Sequence, residues 1–311
     1  MSDVHVTPEV RVYTKDMLRV SRFPLVLEEP DDEVKENHKD EEGDFVLKRP
    51  KKQRTEVLTI VHHMDTSIHY VGLQVWRGAL LLGDFILNNQ ELFKNATIME
   101  LGCGSGFSGL IASRIAKKCY LTDFDEEVLK NCQRNVSLNS HLFEKDPNSD
   151  QLITQVKKLD LQQNHLNFPH SLLSLDSQFQ WTNSDIENLK DLSIIIGADI
   201  IYSNSLTDSI FNFIQSLLKR TNSGTDPFFR KRCRFFIALE VRYIFSIEEL
   251  DEVSLAYSYF KGMIEKGSFG LWAKRVDTNF KQYISNYQRV KELELWEIGL
   301  HQSSDEIYLF K

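Results

Sequence analysis

Glu100, Gly102, Gly104 and Gly106 share one seven-residue string, E-L-G-C-G-S-G, and Asp123 closes the next β-type run, Cys119 to Thr122. The glycines suit a turn that a ligand approaches closely, because they accept positive φ and carry no side chain in the way. A helix beginning near Ser108 aims unpaired N–H groups at the same spot. Asp123, at a strand tip, can accept two hydrogen bonds from ribose hydroxyls. Strand, glycine turn, helix, strand, acid is the opening half of a nucleotide-binding α/β sheet. Gly104, Gly106 and Gly109 also satisfy the dinucleotide fingerprint G-x-G-x-x-G. Glu100 weighs against that: an acid ahead of the glycines suits a ligand with an ammonium there and repels a pyrophosphate. A glycine-rich turn with no ligand is the plain alternative.

More acids fall at strand ends. Val156 to Asp160 (VKKLD) reads as a third strand ending on Asp160, and Leu192 to Ile201 (LSIIIGADII) as a fourth. The fourth is near-continuously apolar, as a central strand buried on both faces requires. Its end reads Ala198-Asp199-Ile200-Ile201-Tyr202. Arg234 to Glu240 (RFFIALE) is a fifth strand ending on an acid, with Arg242 just beyond. Asp199, Tyr202 and Glu240 thus gather at adjacent strand tips, where ligands bind in such sheets.

The elements that must position these residues follow from periodicity. Gly72 to Leu87 reads as a helix, with Val75, Ala79, Leu82 and Ile86 near 3.6 spacing and Trp76 near its start. Asp125 is an N-cap for a helix running to about Asn139. Residues 161–190 are an insertion, its last part a short helix with the capping box Ser184 to Glu187. Helices follow Tyr202 and span Glu248 to about Ile264. Leu293 to Leu300 and Glu306 to Phe310 form a terminal hairpin, and Gly270 to Val276 is a strand without a fixed place. Glu56 to His63 belongs to an added N-terminal hairpin, in which the alternating valines of residues 1–22 take part. The expected fold is α/β: a Rossmann-like sheet of seven strands, mostly parallel, closed by a C-terminal antiparallel hairpin with helices on both faces. Residues 1–54 form a partly disordered extension, and 55–311 the domain.

The net charge of the 311 residues is −8, and the ten acids and two lysines between Glu28 and Asp44 account for all of it. The remainder is near neutral, which disfavours strong direct binding of nucleic acid. Lys48 to Arg54 (KRPKKQR) holds five basic residues in seven and reads as either a nuclear-import signal or a solvated charge run. The four cysteines lack C-x-x-C pairing, which fits a reduced intracellular setting, and no cluster has metal spacing. The longest apolar run, Ala79 to Leu87, is interrupted by Asp84, so no membrane span is expected, and the polar, charged N-terminus reads as no secretory signal.

The pattern E-L-G-C-G-S-G resembles the first motif of seven-stranded, S-adenosylmethionine-dependent methyltransferases, whose cofactor carries an ammonium and a sulfonium. With Gly72-x-x-x-Trp76, Asp199-x-x-Tyr202 and Ala238-Leu239-Glu240-Val241-Arg242, the chain resembles the protein-lysine methyltransferases related to methyltransferase-like protein 21 over about residues 55–300. The resemblance implies S-adenosylmethionine as cofactor. Glu100 would face its ammonium, Gly102, Gly104 and Gly106 would admit it, and Asp123 would hold the ribose. Asp160, Leu161 and Ala198 would border it, and Trp76 would cover part of it. Relatives often carry Trp where this chain has Leu161, which removes an aromatic wall. Asp199 and Glu240 would attract and orient a lysine ammonium, with Tyr202 lining its channel. The alternative is that Asp199 caps the following helix and Glu240 pairs with Arg242. The implied reaction is methylation of lysine in a non-histone protein, nuclear or cytoplasmic and associated with nucleic acid, by a monomer. N-P-P-Y, the mark of exocyclic-amine nucleic-acid methyltransferases, is replaced by ADIIY. A small-molecule methyltransferase and an inactive scaffold stay open as alternatives.

Overall fold

In the computed structural model the described residues are 18–28, 53–64, 68–143, 153–162, 168–174, 177–222, 224, 226–246, 251–285 and 287–301. Two strands precede the main sheet, β1 (Leu18–Glu28) and β2 (Gln53–His63), paired antiparallel over their full lengths. Then come α1 (Arg77–Asn88), α2 (Gln90–Phe93), β3 (Thr97–Leu101), α3 (Phe107–Ala112), β4 (Lys118–Asp123), α4 (Glu126–Leu138) and β5 (Thr154–Lys158). After α5 (Asn183–Leu189) follow β6 (Leu192–Ala198), α6 (Asn204–Asn222) and β7 (Arg234–Glu240). A small ribbon, β8 (Ile244–Ser246) and β9 (Asp251–Val253), leads into α7 (Leu255–Glu265), β10 (Leu271–Val276) and β11 (Leu293–Leu300).

The main sheet has the order β10-β11-β7-β6-β3-β4-β5, and β11 alone runs antiparallel to its neighbours. From β3 the chain winds outward through β4 and β5, then returns to β6 on the other side. The β3–β6 border is therefore the switch point, and its C-terminal edge is where such sheets bind ligands. Side chains alternate across the sheet with period two. Ile98, Cys119, Leu121, Ile194, Ile196 and Phe236 face one core with α1, α3, α4 and the hairpin residues Phe23, Leu25, Leu58 and Ile60. Met99, Tyr120, Ile195, Phe235 and Ile237 face the other, with α5, α6 and α7. β1 thus contributes to the main core although it precedes residue 55.

Several boundaries depart from the sequence reading. Helix α1 begins at Arg77, not Gly72: residues 68–73 form a 3-10 turn that brings the Gly72 carbonyl against the glycine turn. The capping box of α5 is Thr182 with Asp185, two residues earlier than Ser184 with Glu187, because Asp185 also meets Lys157 at 2.5 Å. The expected helix from Glu248 starts only at Leu255, since Asp251–Val253 pairs with Ile244–Ser246. The antiparallel partners of β11 are β7 and β10, so both its edges are taken and Leu271–Val276 gains the place it lacked. Glu306 to Phe310 lies outside the described residues, as do Val4 to Val12, residues 29–52 and parts of the 161–190 insertion. No helix among the described residues is long and apolar enough to cross a membrane.

Candidate active site

The turn after β3 is built as its composition demands. Gly102, Gly104 and Gly106 have φ of 58°, 54° and 84°, all left-handed. A Cβ at Gly104 would stand 3.0 Å from the Gly72 carbonyl oxygen, so that position excludes a side chain by both space and backbone. The Cys103 N–H donates to Thr122 O at 2.9 Å, which carries the β3–β4 ladder into the turn. Gly106 is the residue preceding α3.

Glu100 is buried beneath this turn. The Ser108 hydroxyl donates to its Oε1, while Oε2 lies by the Gly109 backbone without a hydrogen-bond partner. Burial pushes the carboxyl up to about 8; the Asp123 charge adds to the shift, and Ser108 and Gly109 oppose it. Asp123 ends β4. It accepts from the Gly104 N–H at 3.2 Å, the Phe124 N–H at 2.8 Å and the Asp125 N–H at 3.3 Å. Burial still lifts it to about 6. The Leu159 N–H donates to Asp123 O at 2.8 Å, which leaves half-buried Asp160 and Leu161 just past β5 on the same edge. Asp160 accepts from the Gln162 N–H at 2.9 Å.

The tips of β6 and β7 carry a second cluster. Asp199 follows Ala198 with φ of 54°, a left-handed conformation that few residues other than Gly, Asn and Asp adopt. Its Oδ2 accepts from the Gly78 N–H at 2.7 Å and its Oδ1 from the Glu240 N–H at 2.8 Å. The carboxylate therefore serves a free N–H in the first turn of α1, whose N-cap residue Trp76 provides no side-chain cap. It does not cap α6, which corrects the alternative reading of this residue. Gly78 must be glycine here, as a Cβ would run into Asp199 Oδ2 and within 3.1 Å of Ala238 O.

Glu240 is almost closed to solvent, its side chain 5% exposed. Arg77 Nη1 donates to its Oε1 at 2.9 Å; its Oε2 has no hydrogen-bond partner and lies 3.7 Å from Arg242 Nε. Burial raises the Glu240 carboxyl and the two arginines pull it back. The Arg242 guanidinium sits 4.2 Å from the Trp76 ring centroid, with Nη2 3.5 Å from Asp199 Oδ1. Trp76 is fixed by its Nε1–H donating to Val71 O at 2.9 Å. Tyr202 stands half-exposed at the rim, where its partial burial and the Asp123 charge raise its hydroxyl.

The structure thus joins Glu100, the three glycines and Asp123 into one group, and Trp76, Asp199 and Glu240 into another. Ile200 links them, since a Cβ at Gly102 would meet its Cγ2 at 2.7 Å. Tyr202, Asp160, Leu161 and Ala198 lie on the same edge. Sequence reasoning missed Arg77, Gly78 and Ser108, and the exposed ring of Phe124 beside Asp123. Arg77 had one signal, its place next to Trp76 at the helix start.

The residues present fit S-adenosylmethionine. The turn excludes side chains, Glu100 Oε2 is buried without a hydrogen-bond partner, and acids line the edge where a pyrophosphate would need cations.

The family described as lysine methyltransferase matches this chain over residues 52–234. Methyltransferase-like protein 22 of Mus musculus is 33% identical over 249 residues, covering 78% of this chain and 59% of that protein. Its Homo sapiens counterpart is 32% identical over 265 residues, with 83% and 61% covered. The chain therefore spans about three-fifths of the length of these relatives. The human protein-lysine N-methyltransferase EEF2KMT is 28% identical over 150 residues, 47% of this chain and 40% of that one. Among solved structures, magnesium protoporphyrin IX methyltransferase of Synechocystis with bound SAH aligns over 76% of this chain and 89% of its own. Its TM-score is 0.41 at 12% identity, too loose a likeness to carry an activity across.

Proposed function

The chain belongs to the lysine methyltransferase family, and we propose that it transfers methyl groups from S-adenosylmethionine to the side-chain amine of a lysine in a non-histone protein. The observation that carries this reading is Glu240 Oε2, a buried carboxylate oxygen without a hydrogen-bond partner. It lies 3.7 Å from Arg242 Nε, whose guanidinium covers the Trp76 ring at 4.2 Å, at the tip of a strand whose neighbour ends beside the glycine turn. A carboxylate and an aromatic face together make a seat for a cation, filled here by Arg242, which an incoming lysine side chain must displace. The run KRPKKQR supports action in the nucleus or cytoplasm, on a protein associated with nucleic acid rather than on nucleic acid itself. The protein acts as a monomer in this reading.

S-adenosylmethionine, when bound, supplies a methyl group on an electrophilic sulfonium. Glu100, Asp123 and the turn glycines bind and orient it. The acceptor must be a neutral amine, yet a free lysine of pKa about 10.4 is neutral in only about one molecule in a thousand at pH 7.4. Glu240 attracts the ammonium and, with its carboxyl raised by burial, accepts its proton at Oε2. The neighbouring Arg77 and Arg242 favour the amine over the ammonium once it is seated. Asp199 is a positioning residue, holding the tip of β7 and the start of α1 in register. Tyr202 walls the entrance. Holding the amine in line with the sulfonium then supplies much of the acceleration.

The test is transfer of labelled methyl from S-adenosylmethionine to nuclear and cytosolic protein extracts, with Asp199→Ala as control. A discrete labelled protein band that the variant loses supports the proposal. Label in small amines but in no protein would replace it with a small-molecule methyltransferase. No label and no calorimetric cofactor binding would leave a scaffold.

A further inference from the structure

Helix α4 sets three asparagines four residues apart, Asn131, Asn135 and Asn139, along one stripe. All three amides turn toward the edge of β2 that β1 does not cover. Asn139 accepts from the Thr59 N–H at 2.8 Å and donates to Thr59 O at 2.7 Å. Asn135 accepts from the Val61 N–H at 2.8 Å and donates to Val61 O at 3.0 Å, and Asn131 donates to the same oxygen at 2.9 Å. Two residues of strand advance about 6.7 Å and four of helix about 6 Å, so the two periods match over this length. Side-chain amides here take the place of a neighbouring strand.

Asn135 also reaches the glycine turn. Fully buried, its Nδ2 also donates to the Ser105 carbonyl at 2.9 Å, in the middle of the glycine turn. Two further joints link the hairpin to the segment after that turn. Phe23 of β1 packs edge-on against Phe107, ring centroids 4.8 Å apart, and Glu56 of β2 meets Arg114 at 2.5 Å. Ser105 lies between Gly104 and Gly106, whose backbones are the most permissive available. The Gly106 N–H already donates to Cys103 O at 2.7 Å, so Asn135 holds the opposite, carbonyl side of the Ser105–Gly106 peptide. With that carbonyl released, the turn is held from one side only and its flanking glycines give it room to shift.

We propose that Asn135 is a positioning residue for the cofactor, and that the N-terminal hairpin sets cofactor affinity through it by clamping the glycine turn. The inference rests on the reading of that turn as the S-adenosylmethionine site. Asn139 supplies the control: it makes the same pair of bonds to β2, its Nδ2 also donates to the Asn135 carbonyl at 2.7 Å, and none of these reaches the turn. Asn135→Ala and Asn139→Ala are compared with the full-length wild type by calorimetric binding of S-adenosylhomocysteine, by thermal melting and by steady-state kinetics.

Both variants should melt earlier by similar amounts. Only Asn135→Ala should bind S-adenosylhomocysteine at least tenfold more weakly and show a raised KM for S-adenosylmethionine with kcat little changed. Equal affinities for the two variants would overturn the inference while leaving the cofactor site standing. Failure of the wild type to bind would overturn the cofactor reading and this inference with it. Should Asn135→Ala not fold, Glu56→Gln at the outer joint provides the same test on a smaller scale. Affinity two- to threefold weaker supports the clamp, and unchanged affinity overturns it.

Discussion

At the tips of β3 and β4 the acids are held by backbone and hydroxyl donors: Glu100 by Ser108, Asp123 by the N–H groups of Gly104, Phe124 and Asp125. At the tips of β6 and β7 the arginines enter, Arg77 on Glu240 and Arg242 at 3.5 and 3.7 Å from Asp199 and Glu240. Backbone donors stay where the fold puts them, whereas a guanidinium on a long side chain can move aside. The first half is therefore preformed for a ligand that never varies. The second keeps charges loosely matched: Arg242 Nη2 and Glu240 Oε2 face opposite charges at 3.5 and 3.7 Å without a hydrogen bond, and in the first half Glu100 Oε2 lacks one too. On the proposed reading, in which this half admits a lysine side chain, entry needs that slack. Damage to the first half should abolish cofactor binding, and damage to the second should spare it.

The largest effect is expected from Gly104→Ala. The new Cβ meets the Gly72 carbonyl at 3.0 Å with the backbone at φ of 54°. Forcing alanine into that conformation costs about 1–2 kcal/mol, and relief would open the turn itself. Calorimetry should show S-adenosylhomocysteine affinity down by about 100-fold or more, roughly 2.7 kcal/mol. Affinity within a few-fold of wild type would mean the turn is not where the cofactor lies.

Asp199→Ala comes next. It strips the partner from the Gly78 and Glu240 N–H groups, and a buried donor left unsatisfied costs about 1–3 kcal/mol. Thermal melting should fall measurably, and methyl transfer should drop by about 30- to 100-fold as the β7 tip loosens, roughly 2–2.7 kcal/mol of barrier. Full activity in this variant would remove Asp199 from the site. Glu240→Gln should act more narrowly. It keeps an acceptor for Arg77 but cannot take a proton, so methyl transfer should fall about tenfold while S-adenosylhomocysteine affinity holds within about twofold. A parallel loss of cofactor binding would erase the distinction between the halves.

How much of this was legible in the sequence follows the same division. The glycine turn, Glu100 and Asp123 are near neighbours along the chain, and strand periodicity alone brings them together. The partners of Asp199 and Glu240 at Gly78 and Arg77 lie 121 and 163 residues away, beyond any local pattern. The asparagine stripe of α4 was visible as spacing, but its target on β2 is more than 70 residues distant. The start of α1 was misplaced because Gly72 to Val75 keep helical periodicity while tertiary contact with the turn holds them out of the helix. The place of β10 depended on which segment paired with β11, and hydrophobic alternation in two candidates could not decide it.

The smallest effect separates the halves by proton rather than by affinity. Glu100 keeps its proton up to about pH 8 in the folded protein and loses it near its ordinary value of 4.5 when unfolded. Between those values the folded state binds more protons, so this group lowers stability as pH rises from about 4.5 to about 8, and no further above that. Glu100→Gln cannot ionise. Its melting temperature should fall less than that of the wild type across this window, so the variant gains relative to the wild type as pH rises. Asp123, raised to about 6, contributes a similar slope lower down that both proteins share. A cation seated beside Glu100 favours its ionised form, so binding S-adenosylmethionine near pH 7 should release a proton. Calorimetry in two buffers of different ionisation enthalpy reads this directly, and Glu100→Gln should abolish most of it. Equal proton release from wild type and variant would show that the ammonium does not sit against Glu100, and that the cofactor half is held by the turn and Asp123 alone.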